Sequence, residues 1–206
     1  DRPLARIAGK KTGSLVPRIS QRNRMADVIC SPEVYYGAAF QHFVASECSA
    51  GSSRWIYDII NNTFCPKREH VFIQEPAWCL CADQHQGHDA RYLVIFKDTS
   101  LKTLRDLRAS HLPMLNDVLA KVSAWIASHH AKPFHMFFHY MPSVFQLHLH
   151  VTSKFQYINM NRAHFFKRVI KNLQRDSDHY AQALMLTVSC RTLRRAETHE
   201  TVKAPI

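Results

Sequence analysis

Hydrophobic and polar positions change period several times along the chain, and each change marks an element. Ser31-Pro32-Glu33 combines a hydroxyl cap, a proline at the first helical position and an acid in the first turn. It predicts a helix running to about Cys48, broken by Ala50-Gly51-Ser52-Ser53. A second helix, Arg54 to Ile60, stops at Asn61-Asn62. Strands are predicted at Glu69 to Gln74, Trp78 to Ala82 and Arg91 to Lys97. The longest helix is predicted from Ala109 to Ser128, where Leu112, Leu115, Leu119, Val122 and Ile126 repeat at three- and four-residue spacing.

After Lys132-Pro133 the period falls to two. Phe134, Met136, Phe138 and Tyr140 share one face, with His135 and His139 on the other. Met141-Pro142-Ser143 turns the chain. Phe145, Leu147, Leu149 and Val151 then face a core, while Gln146, His148, His150 and Thr152 share the opposite side. A helix from Arg162 to about Gln174 and a strand from Ala183 to Ser189 complete the pattern. Hairpin strands grouped between helices predict an α+β fold on an antiparallel sheet.

The chain has 206 residues, 46% of them apolar, enough for one core of ordinary size. No apolar run approaches a membrane span, which predicts a soluble protein with no membrane partner. Six scattered cysteines in a chain with this much core predict reduced thiols and an intracellular location.

The formal charge of +11 is unevenly placed. Residues 1–25 carry Arg2, Arg6, Lys10, Lys11, Arg18, Arg22 and Arg24 against Asp1, a net of +6. This segment has no apolar periodicity. It reads as a solvated tail, as an arm laid on the phosphates of RNA or a ribonucleoprotein, or as an Arg-rich organellar presequence. The organisation expected is a basic extension over 1–28, one domain over 29–190 and a tail over 191–206. The predicted helix at 162–174 adds Arg162, Lys167, Lys171 and Arg175 on its polar side, which reads either as a solvated face or as a second RNA-facing surface.

Side chains two apart on a strand project together, so Gln146, His148 and His150 form a row, with His139 on the neighbouring strand and Ser143 in the turn. Such a row can bind a metal, attack phosphorus, or simply face water. A metal prefers a third histidine or a carboxylate to Gln146. Cys79, Cys81, His85 and His88 also have the spacing C-x-C-x3-H-x2-H, but it matches no common zinc site, and buried thiols are the better reading.

Tyr140-Met141-Pro142-Ser143-Val144-Phe145-Gln146-Leu147-His148-Leu149-His150-Val151 resembles the histidine-triad signature of scavenger mRNA-decapping enzymes. Leu101 to Leu107 with Ser110 to Leu115, Trp55 to Ile60, Ala163-His164, Val169 to Leu173 and His179-Tyr180 resemble further segments of that family, so the likeness covers roughly residues 30–190. It implies a histidine-triad fold, a homodimer if the chain stands alone, and a nucleotide or capped RNA fragment as substrate. It implies His148 as the nucleophile that forms a nucleotidyl-histidine, with His150 and Gln146 as the other catalytic triad positions. His139 and Ser143 match phosphate-holding positions, and Trp55 matches the tryptophan that stacks on the methylated guanine. No cofactor is implied.

The chain departs from the pattern at several places. The first triad position is Gln146, which can hydrogen-bond but cannot carry a proton. Val144 replaces an aromatic, Cys65-Pro66 stands near the base-reading glutamate, and Asp83-Gln84-His85 stands where the family has Asp-Leu-Lys. Two readings remain open. One is a hydrolase of a nucleotide or cap phosphoanhydride, with cap specificity in doubt and a cytoplasmic or nuclear home. The other is a catalytically degenerate pseudoenzyme serving as an RNA-facing subunit of a ribonucleoprotein such as a mitochondrial ribosome.

Overall fold

The computed structural model describes residues 29–49, 53–83, 90–183 and 185–186. The basic extension, His85, His88 and the tail lie outside them. In chain order the elements are β1 (Ile29–Cys30), α1 (Pro32–Tyr36), α2 (Ala38–Ser49), α3 (Arg54–Ile60), β2 (Val71–Gln74), β3 (Trp78–Ala82), β4 (Arg91–Phe96), α4 (Leu112–His129), β5 (His135–His139), β6 (His148–Thr152), β7 (Ala163–Phe165), α5 (Phe166–Arg175), α6 (His179–Gln182) and β8 (Met185–Leu186). Strands β2 to β7 form a six-stranded antiparallel sheet in the order β2-β3-β4-β6-β5-β7, and β1 pairs with β8 separately. The fold is α+β and histidine-triad-like. No helix among the described residues is long and apolar enough to cross a membrane.

The sheet is covered differently on its two faces. Helices α4 and α5 bury Leu115, Val118, Val122, Ile126, Phe166, Val169, Ile170 and Leu173 in the main core, with Leu80, Val94, Phe96, Phe138, Leu149 and Val151 of the sheet. The other face carries a smaller cluster in which Ile56 and Ile59 of α3 pack with Cys79, Cys81, Leu93 and Ile95. That second cluster is centred on β3 and β4, with Val71 of β2 and Val144 packed at its edges. The histidines of β5 and β6 continue the same face beyond it.

The predicted first helix is in fact two. Gly37 is extended (φ −64°, ψ 147°), and the Gln41 side chain donates to the Tyr35 carbonyl at 2.7 Å. Glycine is a poor helix former, and the break lets Tyr35, Phe40, Phe43 and Val44 all reach the core. The helix predicted from Arg162 begins at Phe166, because residues 163–165 add an edge strand to β5 instead. Residues 145–147 lie outside β6. They are tied to the preceding loop, where Leu147 N donates to the Leu101 carbonyl at 2.8 Å.

The segment around Leu104 acts as a clamp. Arg105 is fully buried. Its Nε donates to Tyr140 Oη at 2.7 Å, and its Nη1 donates to the Tyr180 and Ala183 carbonyls at 3.1 and 2.9 Å. Asp106 accepts from the Tyr35 hydroxyl at 3.0 Å and from the Thr103 amide at 2.8 Å. This charged-group bonding ties α1, the turn before the histidines and α6 together.

Candidate active site

The register of β4 on β6 sets Leu93 opposite His150 and Ile95 opposite His148. Each histidine thus stands one strand spacing, about 4.8 Å, from the edge of the α3-covered cluster. On the other side Phe137 of β5 pairs with His150, and the two rings stack with centroids 5.3 Å apart. His139 sits 4.5 Å from His150 and His148 5.0 Å from His150, ring centre to ring centre. The structure therefore brings His139, His148 and His150 together.

His148 Nδ1 lies 2.7 Å from the Gln146 carbonyl oxygen. A carbonyl only accepts, so Nδ1 carries the proton and Nε2 keeps its lone pair. Burial lowers the affinity of this ring for a second proton, although the Gln146 carbonyl and Asp83 oppose the shift. Burial is also the main cause at His139, pushed down to about 4, and at His150, pushed down to about 2. Arg162 and the neighbouring imidazoles push both further in the same direction. At neutral pH the three rings are uncharged. His139 Nε2 is buried and has no hydrogen-bond partner among the described residues.

Gln146 occupies a different place from the one alternation predicts. It is fully buried, and its Nε2 donates to the carbonyls of Phe96 at 2.7 Å and Asp98 at 2.9 Å. Both amide protons are thereby committed to the backbone, and Oε1 has no donor among the described residues. Ser143 is exposed and lines neither of the two hollows beside the histidines. Trp55 is half-buried and packs against the Leu93–Ile95 cluster, on the same sheet face as the histidines. Cys79 and Cys81 are free, buried thiols, and burial pushes Cys79 up to about 11. Metal coordination by thiolate is disfavoured there.

Two hollows flank the row. One, of about 120 Å³, is walled by Asp83, Arg91, Phe137, His139, His150 and Tyr157. The other is a narrow crevice between Lys102, Thr103, His139, Pro142, Gln146 and His148. The family model described as "Scavenger mRNA decapping enzyme C-term binding" matches residues 54–164, more than half of the chain, and includes both hollows. The chain belongs to the scavenger mRNA decapping enzyme family.

Curated relatives agree with this assignment. The m7GpppX diphosphatase of Bos taurus is 30% identical over 161 residues, covering 70% of this chain and 46% of the relative. That of Homo sapiens is 29% identical over 152 residues, 66% of this chain and 44% of the relative. That of Schizosaccharomyces pombe is 22% identical over 147 residues, 64% and 45%. The matched part is less than half the length of these relatives.

In this member of the decapping family, cations that sequence reasoning did not place at the site stand beside the histidines. Among them is Arg162, which the sequence predicts on the outer side of a helix and which instead precedes β7. Arg91 and Lys102 line the two hollows. Arg162 donates to the Met141 carbonyl and acts electrostatically on His139 and His150. Periodicity offered only a weak signal for them, because each lies at an element boundary where alternation stops. Arg91 opens β4, Lys102 precedes the Leu104 turn, and Arg162 directly precedes β7.

Proposed function

We propose that the chain hydrolyses a nucleotide phosphoanhydride through covalent catalysis at His148. One observation carries the reading: the bond from His148 Nδ1–H to the Gln146 carbonyl, which leaves Nε2 as a free, neutral nucleophile. In the first step the Nε2 lone pair forms a bond to phosphorus. The bridging P–O bond breaks, and its electrons leave with the departing phosphate. The ring gains positive charge, which the carbonyl at Nδ1 stabilises. In the second step water attacks phosphorus, the P–N bond breaks, and the lone pair returns to Nε2 while the water proton passes to solvent. Arg162 and Lys102 offset charge on the phosphates, the type of preorganised stabilisation such transfers require.

Replacing His148 with Ala is expected to abolish hydrolysis of capped or uncapped dinucleoside polyphosphates. Brief incubation with labelled substrate is expected to trap an acid-labile phosphoamidate on His148. Turnover that survives His148→Ala would remove the reading.

Within this function Trp55 supports base stacking, a cation–π contact if the base is methylated and positive. Cys65-Pro66 stands where resemblance assigns the guanine-reading glutamate. The nearest carboxylate in sequence, Glu69, is engaged by the Cys65 amide at 3.0 Å, so weak selectivity is expected. Calorimetry with methylated and unmethylated guanine nucleotides tests this. A preference of a hundredfold or more, about 2.7 kcal/mol, would contradict it.

A second reading, an RNA-facing subunit that need not turn over, is favoured by α5. Lys167, Arg168, Lys171 and Arg175 are all exposed on its outer side, and no carboxylate of the described residues pairs with them. The two readings use different surfaces of the domain.

A further inference from the structure

We infer that the loop joining β6 to β7, residues 153–161, is a stacking platform for the nucleobase on the leaving half of the substrate, with Phe155 as the stacking ring. The inference rests on the hydrolase reading for the identity of its ligand, and its test separates the two.

A dinucleoside polyphosphate attacked at His148 has two ends. Trp55, on the α3 side of the histidine face, supports a base at one of them. The sheet order β4-β6-β5-β7 sets the histidine strands between the α3-covered cluster and this loop, so the loop bounds the row on the side away from Trp55. It crosses β5 on the histidine face. The Phe155 ring meets the His135 ring edge-on at 5.7 Å, and Tyr157 helps to wall the hollow beside His139 and His150. From β4 to β5 is two strand spacings, about 10 Å, a span within reach of an extended triphosphate.

Val34, Tyr36, Phe72, Phe155, Tyr157 and Met160 are the large apolar side chains exposed among the described residues, and half of them fall in this one loop. Scattered singly, such residues need no explanation, but a cluster at the rim of a site marks a contact surface. Phe155 is 55% exposed. The loop beneath it is well tied. Ile158 is buried and its amide donates to the Phe155 carbonyl at 2.9 Å, the Lys154 amide donates to Thr152 Oγ1 at 3.2 Å, and the Arg162 amide donates to the Asn159 carbonyl at 3.0 Å. The Arg91 guanidinium lies 4.7 Å over the Tyr157 ring and holds it in the wall. Rings ordered before a ligand arrives lose little freedom on binding. Residues 153–161 include Lys154 and no carboxylate, so the loop does not repel a polyanion. Every base offers a π-face to such a ring, so the platform is tolerant of base identity.

The test compares two probes by calorimetry on the full chain carrying His148→Ala, with turnover of the parent chain measured separately. Guanosine triphosphate has one base and diguanosine triphosphate has two. Adding Phe155→Ala is expected to weaken diguanosine triphosphate at least fivefold, the lower end of what a stacked base contributes, and guanosine triphosphate less than twofold. Phe155→Trp should keep the affinity, and its added fluorescence should be quenched by diguanosine triphosphate more than by guanosine triphosphate. Exchanging one guanosine of the probe for adenosine should leave the Phe155→Ala loss within threefold of its value. Phe72→Ala, an exposed ring on β2, should change neither probe. A Phe155→Ala effect equal on both probes, or absent from both, overturns the inference, as does a chain that binds neither. A variant that changes only the sedimentation of the chain marks the loop as a protein contact and also overturns it. Selective loss of diguanosine triphosphate in a chain whose parent shows no turnover upholds the platform and sinks the hydrolase reading. Turnover through His148 without that selectivity does the reverse.

Discussion

Gln146 shows how one side chain can hold a motif position yet do other work. Its amide bridges the Phe96 and Asp98 carbonyls, joining the end of β4 to the turn that precedes His148. The same residue's carbonyl orients His148, so the side chain positions the backbone that positions the nucleophile. Gln146→Leu is therefore expected to cost about 1–3 kcal/mol, the penalty for leaving buried carbonyls without donors. Gln146→His should cost less, since one ring N–H can still reach one carbonyl, and hydrolysis should be unchanged or raised. Chemical denaturation of the three proteins measures this. A midpoint for Gln146→Leu equal to wild type would show that the bridge contributes nothing.

Among the elements, α5 divides its labour by face. Phe166, Val169, Ile170 and Leu173 are buried, and Phe166 meets Phe138 of the sheet at 5.7 Å. The outer face has only basic and polar side chains, and neighbours three or four apart on a helix lie about 5–6 Å from one another. This charge row is matched to a phosphate backbone. If RNA lies along it, Arg168→Glu with Lys171→Glu should weaken association with RNA. Deleting residues 1–25 should also weaken it, each lost phosphate contact removing about 0.7–0.9 from the log–log salt slope. His148-dependent hydrolysis should persist in both. Salt slopes identical to the parent chain would exclude both segments as RNA contacts.

At the scale of the whole molecule, several histidines are buried neutral and link folding to pH. His164, outside the histidine row, is pushed down to about 4 by burial and by His179, and it faces the Tyr140 and Tyr180 rings. His139 is also near 4, whereas an unfolded histidine titrates near 6.5. Below about pH 6.5 the unfolded chain takes up protons that the folded chain refuses. Stability is therefore full above that pH and falls as the pH drops toward 4. Each such histidine adds a slope approaching about 1.4 kcal/mol per pH unit. Unfolding midpoints should drop between pH 7 and pH 5, and His164→Gln should make the decline shallower. A flat profile over that range would contradict the burial of these rings.

Much of this architecture was legible in the sequence because hydrophobic periodicity is a local property. The stripe on α4, the alternation of β5 and β6 and the short α3 each follow from which neighbours must share a face. The clustering of His139, His148 and His150 follows from the same rule, once two antiparallel strands are set side by side. Several features depended on what packs where. Gln146 turned inward because two carbonyls at the end of β4 needed donors. Residues 163–165 became a strand because β5 offered an open edge. Arg91, Lys102 and Arg162 met around the histidines from segments far apart in the chain. Sequence patterns record the burial of each side chain against its own neighbours; only the tertiary fold decides which distant charges and orphaned polar atoms face one another.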